Sequence, residues 1–288
     1  MFCRMTCCPK QDRSHSPDPD NTQGNLCMSQ SASSSPPPVE AAVSPRLSII
    51  TVCKNAESVI GSTITSVMEQ SSSSIQFLIL DGASTDETAS VIRQLGKDSI
   101  ELISEPDNGI YHAMNKGIRH ASGEFLLFLN AGDTLLHTQT VESLLCAIDR
   151  APYADVYHAA VVWFDPRTGR SRYKPALRDS NTNLFRGSLN HQAMFIRREL
   201  FERFGAYDES FRLAGDYEWV LRAKRKHHCR FERLNACSSV FLLGGQSTSG
   251  EHDELIRSEC KRSRDMYYGS WDKIKFRILI RVRKILGI

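Results

Sequence analysis

No apolar run in this chain approaches the ~18 residues that a membrane-crossing helix requires, and segments such as Phe125 to Leu129 stop far short of it. Nor does the amino terminus carry the apolar stretch of a secretory signal, so a cytoplasmic location is expected. Two phosphate-binding signatures are missing as well. Neither GxxxxGK[ST] nor GxGxxG occurs, which leaves a P-loop or a dinucleotide site unsupported. The nine cysteines include no CxxC pair and stand away from histidines at zinc-ligand spacing, so Cys53, Cys146, Cys229, Cys237 and Cys260 read as reduced, buried thiols. The denser group Cys3, Cys7 and Cys8 has only His15 nearby. Basic charge is scarce where a nucleic acid would need it. Residues 45–254 hold 23 basic and 26 acidic side chains, residues 1–44 three and four, and residues 255–288 ten and three. An acidic body excludes a nucleic-acid face, while the basic tail suits an anionic membrane surface.

Residues 1–44 are rich in Ser, Pro, Gln and Asn (SQSASSSPPP) and lack apolar periodicity, so a disordered leader is expected there. Order begins at Leu47, where LSIITV reads as a strand buried on both faces. Residues 58–70 place Val59, Ile60, Ile64, Val67 and Met68 at helical spacing. A second strand, Ile75 to Leu80, ends at Asp81. Ser84-Thr85-Asp86-Glu87 then opens a helix with an apolar stripe at Ala89, Ile92 and Leu95. A short strand over Ile100 to Ile103, a helix over Ile110 to His120 and a strand over Glu124 to Leu129 follow. Strands alternating with helices indicate an α/β sheet, and such sheets bind ligands beyond the carboxyl ends of their strands. That rule selects Thr51 to Asn55, Asp81 to Gly82 and Asn130 to Asp133. From Asp155 the pattern turns to longer strands (VYHAAVVWF), a turn over Asp165 to Gly169 and a strand over His191 to Ile196, so the second half is expected to be mixed.

Asn130-Ala131-Gly132-Asp133 follows a buried strand and offers a carboxylate and an amide oxygen at the sheet edge. Hard oxygen donors suit Mg²⁺ or Mn²⁺, which keep waters and bridge to substrate phosphates; the competing reading makes Asp133 a helix cap. Asp81 could accept a hydrogen bond from a base ring or close an Asx turn before Gly82. Asp216, after Gly215, opens a helix in which Trp219, Val220 and Ala223 face inward, and it could be an N-cap or a general base. His191 could orient a phosphate or sugar, or be a structural buried histidine. Gly244-Gly245-Gln246-Ser247 could form a backbone nest for phosphate or a plain turn.

The segments SIITVCKNAE, LILDGASTDET, SEPDNGIYHAMNKGI, GEFLLFLNAGD, NHQAMF, YDESFRLAGDYEW and GGQS occur in order over residues 46–250. Together they resemble the inverting nucleotide-sugar glycosyltransferases often called family two. The resemblance implies a GT-A fold: a Rossmann-like, mostly parallel nucleotide-binding sheet continuing into a mixed acceptor-side half. It implies that Thr51, Asn55, Glu57 and Asp81 surround the nucleoside, and that Asp107, Gly109, Ala113, Asn115 and Gly117 close over the donor. Asp133 corresponds to the metal-binding end of the family's Asp-x-Asp motif, and Asp216 to its catalytic base. Two departures stand out: Asn130 replaces the first acid, and Gly215 stands where Glu is frequent. The Asn-x-Gly-Asp variant is itself similar to a subgroup linked to polysaccharide and O-antigen assembly.

The expected organisation is a leader (1–44), a transferase domain (45–250) and a basic amphipathic tail (251–288). In the tail, Trp271, Ile274, Ile278, Val282 and Ile285 share one helical face, with Lys273, Arg277, Arg281 and Lys284 on another and Lys275 interrupting the apolar arc. That pattern suits an interfacial helix on the inner membrane, or a terminal helix packed on its own domain. The expected partners are a nucleotide-sugar donor and a saccharide or lipid-linked acceptor. Two alternatives compete: a non-catalytic sugar-nucleotide-binding subunit, and a nucleotidyltransferase, whose glycine-rich basic loop after the first strand is missing here.

Overall fold

A computed structural model describes residues 44–176, 181–187, 189–245 and 250–286. The expected leader with its cysteine cluster, and Gln246 and Ser247 of the glycine turn, lie outside these residues. Strand β1 (Leu47–Cys53) is buried at every position because it pairs in parallel with β2 (Ile75–Asp81) on one side and β4 (Phe125–Phe128) on the other. β3 (Glu101–Ser104) continues the parallel set beyond β2. Register brings the carboxyl ends together: Cys53 stands opposite Asp81, and Asp81 opposite Ser104.

The sheet then changes direction. β4 pairs antiparallel with β8 (Met194–Arg197), which pairs antiparallel with β6 (Val156–Asp165). Beyond lie β9 (Phe231–Leu242), parallel to β6, and β5 (Thr134–Leu135), antiparallel to β9, while β7 (Arg170–Lys174) forms a hairpin with β6. The mixed second half expected from the sequence is what forms.

Because side chains alternate across a strand, β1 feeds two cores. Leu47 and Ile49 pack with Ile60, Ile64 and Val67 of α1 (Ile60–Met68) and with Ile92 of α2 (Thr88–Gly96). Val141, Leu144 and Ile148 of α4 (Thr140–Asp149) complete that layer. On the opposite face, Ile50 and Val52 pack with Tyr111, Ala113 and Met114 of α3 (Ile110–His120). α3 lies close to the sheet, since a Cβ on Gly117 would stand 2.5 Å from Ile50 Cγ2. α5 (Asn181–Arg186), α6 (Glu199–Phe204) and α7 (Gly215–Leu221) join this second layer through Phe185, Phe201 and Trp219. α8 (Asp253–Tyr267) and α9 (Ser270–Leu286) follow, and Tyr268 and Phe276 enter the same core.

Four expectations need correction. Of the five thiols expected to be buried only Cys53 and Cys229 are, while Cys237 and Cys260 are half-buried and Cys146 is exposed on the outer face of α4. Met68 and Leu95 lie at the right helical spacing yet are exposed, because each sits at the edge of its helix's buried stripe, beyond the reach of the covering layer. His191 is not on a strand: His191–Ala193 form one tight helical turn, and β8 starts only at Met194. α2 starts at Thr88 with Glu87 at its N-cap and no side-chain bond from that residue; Asp86 Oδ1 accepts the Thr88 N–H at 3.0 Å, an Asx-type turn ahead of the helix in place of the capping expected of Ser84–Glu87.

Candidate active site

Three loops meet beyond the carboxyl ends of β1, β2 and β4. Asn55 adopts φ 48°, and its side-chain oxygen accepts the Thr85 N–H at 3.0 Å, while its own N–H donates to Ser84 Oγ. Glu57 Oε2 accepts the Glu87 N–H at 2.9 Å. These bonds brace the loop after β1 against the loop after β2. Asp81 is buried, and its oxygens accept from Ser104 Oγ at 2.6 Å and from Ser84 N–H and Oγ, the Asx-type turn anticipated before Gly82. Gly82 is needed for close approach, since a Cβ there would lie 2.3 Å from Asp107 Oδ2. Asp107 in turn accepts the Gly109 N–H at 2.9 Å at the start of α3. A small cleft between Asp81, Asp107 and Ala113 separates these acids.

Other residues singled out from the sequence are deeper. Thr51 is fully buried and donates to the Leu129 carbonyl at 2.6 Å, tying β1 to the end of β4. Asn115 is also buried: Nδ2 donates to the Tyr207 carbonyl and Glu209, and Oδ1 accepts the Tyr207 N–H. These two hold the walls of the site.

The Asn130–Asp133 turn closes with the Asp133 N–H on the Asn130 carbonyl, with Gly132 at φ 96° donating its N–H to Thr63 Oγ1. Asp133 is only 3% exposed, and no helix follows it, so the helix-cap alternative does not hold. Its Oδ1 instead accepts the Leu242 N–H at 3.0 Å. Burial pushes its carboxyl up to about 6, against the Leu242 bond and the nearby His191 charge. Such a carboxylate gains from any cation brought beside it. Asn130 Oδ1 is buried and has no hydrogen-bond partner among the described residues. One orphaned amide oxygen and one desolvated carboxylate suit Mg²⁺ or Mn²⁺, whose remaining ligands come from phosphate and water. Among the described residues no cluster of three or more His, Cys, Asp or Glu could cage a metal by itself.

Asn130 Nδ2 lies 3.2 Å from His191 Nε2, and His191 Nδ1 lies 3.2 Å from Asp216 Oδ2. With the amide donating to Nε2, the proton of the neutral imidazole resides on Nδ1 and is donated to Asp216. The Tyr111 hydroxyl donates to the other oxygen, Oδ1, at 3.2 Å. Burial works against charge on His191, but the hydrogen bond and charge of Asp216, with Asp133 behind it, outweigh burial and raise its pKa. Burial, followed by the Asp216 charge, raises the Tyr111 phenol well above its ordinary value, so it stays a donor. The helix cap before Asp216 falls at Ala214, which leaves the carboxylate free for these partners.

Tyr111 also explains Gly215, since a Cβ there would stand 2.8 Å from its ring. Beside Tyr111 opens a cavity of about 260 Å³ lined by Gly109, His112, Phe211, Arg212 and His252. The loop before Asp216 is held by Glu259 of α8, which accepts the N–H groups of Arg212, Leu213 and Ala214 at 2.7, 2.9 and 2.8 Å. Neither Tyr111 nor Glu259 emerged from the sequence as a site residue. Tyr111 stands inside the quoted IYHAMNKG segment, whereas nothing local marks Glu259. Gly245 is exposed at the turn after β9, and Gly244 beside it has φ 107°.

The sequence profile described as Glycosyl transferase family 2 matches residues 48–209. A "PGL/p-HBAD biosynthesis glycosyltransferase" of Mycobacterium tuberculosis is 31% identical over 182 residues, 62% of this chain and 69% of that protein. Among solved structures, Staphylococcus aureus TarS 1-349 in complex with UDP-GlcNAc superposes with a TM-score of 0.60 at 17% identity, covering 74% of this chain and 65% of that one. The mannosyltransferase PcManGT of Pyrobaculum calidifontis, with GDP-Man and Mn²⁺, gives a TM-score of 0.54 at 21% identity, covering 75% and 61%. The chain thus spans less than two thirds of these solved structures, and the likeness to them is one of fold: the parallel set continuing into a mixed half is the GT-A arrangement.

Proposed function

The chain belongs to glycosyl transferase family 2 and is a glycosyltransferase, and from that membership we propose that it moves a sugar from a UDP-sugar to a saccharide or lipid-linked saccharide with inversion. The observation that carries the proposal is the Asp216 carboxylate, held from one side by Tyr111 and from the other by His191. Both oxygens are oriented, and among the described residues no Lys or Arg forms an ion pair with the group. Asp216 takes the proton of the acceptor hydroxyl as that oxygen bonds to the anomeric carbon and the bond to the nucleoside diphosphate breaks. A single displacement inverts the centre. The acceptor enters by the cavity beside Tyr111. Asn55, Glu57, Asp81, Gly82 and Asp107 form the nucleoside side, where the bonds between the two loops hold these groups together. Asn130 and Asp133 would hold Mg²⁺ or Mn²⁺, and such an ion would supply positive charge for the departing diphosphate. Gly245, at the turn after β9, would add a backbone contact to the diphosphate.

The acceptor reading draws on the glycolipid context in the M. tuberculosis relative's name and on the Asn-x-Gly-Asp turn: a product for cell-surface polysaccharide or glycolipid assembly, made at the cytoplasmic face of a membrane on which the protein rests peripherally. UDP release from a panel of UDP-sugars, with Mn²⁺ and with chelator, tests the proposal. Asp216→Asn should retain donor binding and lose transfer, while Asp133→Ala should lose the metal-dependent part of both. Transfer surviving in Asp216→Asn refutes the base.

A further inference from the structure

α9 has two apolar faces, and the fold uses only one. Phe276 is buried against Phe185 and Tyr268, with ring centroids 5.6 Å from each, and Ile280 packs on the same core. Asp272 pairs with Arg225, and Lys273 Nζ lies 2.8 Å from Asp265. These contacts fix the helix's rotation. The rotation leaves Trp271 at 84% exposure and Ile285 at 83%, with Ile274, Ile278 and Val282 also exposed. At about 100° per residue these five side chains share an arc of about 80°. Arg277 and Arg281 border it on one side and Lys275 on the other. Among the described residues none of these three cations is in an ion pair.

We infer that this outer face of α9 is a docking surface for an anionic lipid bilayer, with the helix lying in the plane of the interface. Seventeen residues at 1.5 Å each reach about 25 Å, short of the ~30 Å hydrocarbon core. The helix holds six basic residues and one acidic, which rules out crossing. Among the described residues no helix is long and apolar enough to cross a membrane. An apolar arc between cationic borders matches headgroup phosphates flanking acyl chains. A second copy of the chain matches poorly. Antiparallel pairing sets Arg277 and Arg281 against their own copies, and parallel pairing sets them against Lys275, so cation faces cation either way. The inference does not rest on the donor or acceptor proposed above, because binding to lipid is read without a transfer reaction.

The test is flotation of the full chain with phosphatidylcholine vesicles and with phosphatidylcholine–phosphatidylglycerol vesicles, together with tryptophan emission. Binding should require the anionic lipid and shift the emission of Trp271 to the blue. Ile278→Glu with Val282→Glu should lower partitioning more than tenfold, as should Trp271→Ser. Arg277→Gln with Arg281→Gln should lower it about 30-fold, from about fivefold per cation near such a surface, and weaken its salt dependence. The altered side chains face away from the core, so thermal melting should stay that of the unaltered chain. Partitioning unchanged by Ile278→Glu with Val282→Glu and by Trp271→Ser overturns the inference. So does equal binding to neutral vesicles, and so does a dimer in light scattering that the glutamate pair dissolves.

Discussion

Replacing His191 by alanine separates a base that needs orienting from one that acts alone. His191→Ala removes the Nδ1–H donated to Asp216 Oδ2 at 3.2 Å and takes from the Asn130 amide its only side-chain partner among the described residues. A hydrogen bond to a charged group contributes about 1.5–3 kcal/mol, which at 1.36 kcal/mol per decade is a loss of about 10- to 150-fold in kcat. Removing the base itself costs more: Asp216→Asn should lower kcat by about 10² to 10⁴. The assay is UDP release at saturating donor, with KM for donor and acceptor measured separately. Positioning predicts a fall in kcat with little change in donor KM, because the bond matters most as Asp216 takes its proton. Asn130→Ala should show part of the same loss through freedom of the imidazole. The double variant should then be no worse than His191→Ala alone, because both changes act through one chain of bonds. A kcat within twofold of the unaltered enzyme refutes the reasoning. A raised donor KM at constant kcat does so too, since it would assign His191 to donor binding.

Gly215→Glu, which restores the residue common in the family, should cost about 1–3 kcal/mol of stability and displace the Tyr111 hydroxyl from Asp216, because its Cβ would meet the Tyr111 ring at 2.8 Å; denaturant unfolding beside activity reads both. Glu259→Ala orphans three backbone N–H groups in the loop before Asp216; a loss of about 3 kcal/mol should lower the melting temperature by roughly 6–12 °C, and an unchanged melt would show that water replaces the carboxylate. Burial, then the charges of Asp81, Asp86 and Asp107, push the Cys53 thiol up to about 12, so iodoacetamide at pH 8 should spare Cys53 and label exposed Cys146, as read by peptide mass spectrometry. Burial, then the Arg233 charge, depress His158 to about 4 from 6.5. The unfolded chain takes up that proton first, so about 3 kcal/mol of stability present above pH 6.5 should drain away as pH falls through 4, and His158→Gln should flatten that limb of the stability–pH curve.

The centre of the parallel half was legible because β1, β4 and most of β2 are buried on both faces and so read as continuous apolar runs. LSIITV, Ile75 to Leu80 and Glu124 to Leu129 sit within a residue of β1, β2 and β4. Helical periodicity located the inner faces of α1 and α2 but not where their cover ends, which is why Met68 and Leu95 emerge into solvent. Glu259 was invisible for a different reason. Its partners are backbone N–H groups about 45 residues upstream, and a buried glutamate on a helix looks from sequence like any surface acid.

The Asn-Ala-Gly-Asp turn shows where reading residue by residue falls short. From sequence, Asn130 looked like a weakened metal ligand, one carboxylate fewer than the family's commoner pattern. In the folded chain its amide has two distinct ends: Nδ2 against His191 Nε2, and Oδ1 buried without a partner among the described residues. A carboxylate at this position has no hydrogen to donate, so it would favour the imidazolium, whose positive charge weakens Asp216 as a base. The amide instead keeps an oxygen for a cation and a donor for the neutral imidazole. On the proposed reading, in which Asp133 holds the metal and Asp216 is the base, the substitution would trade some metal affinity for control of the proton on His191.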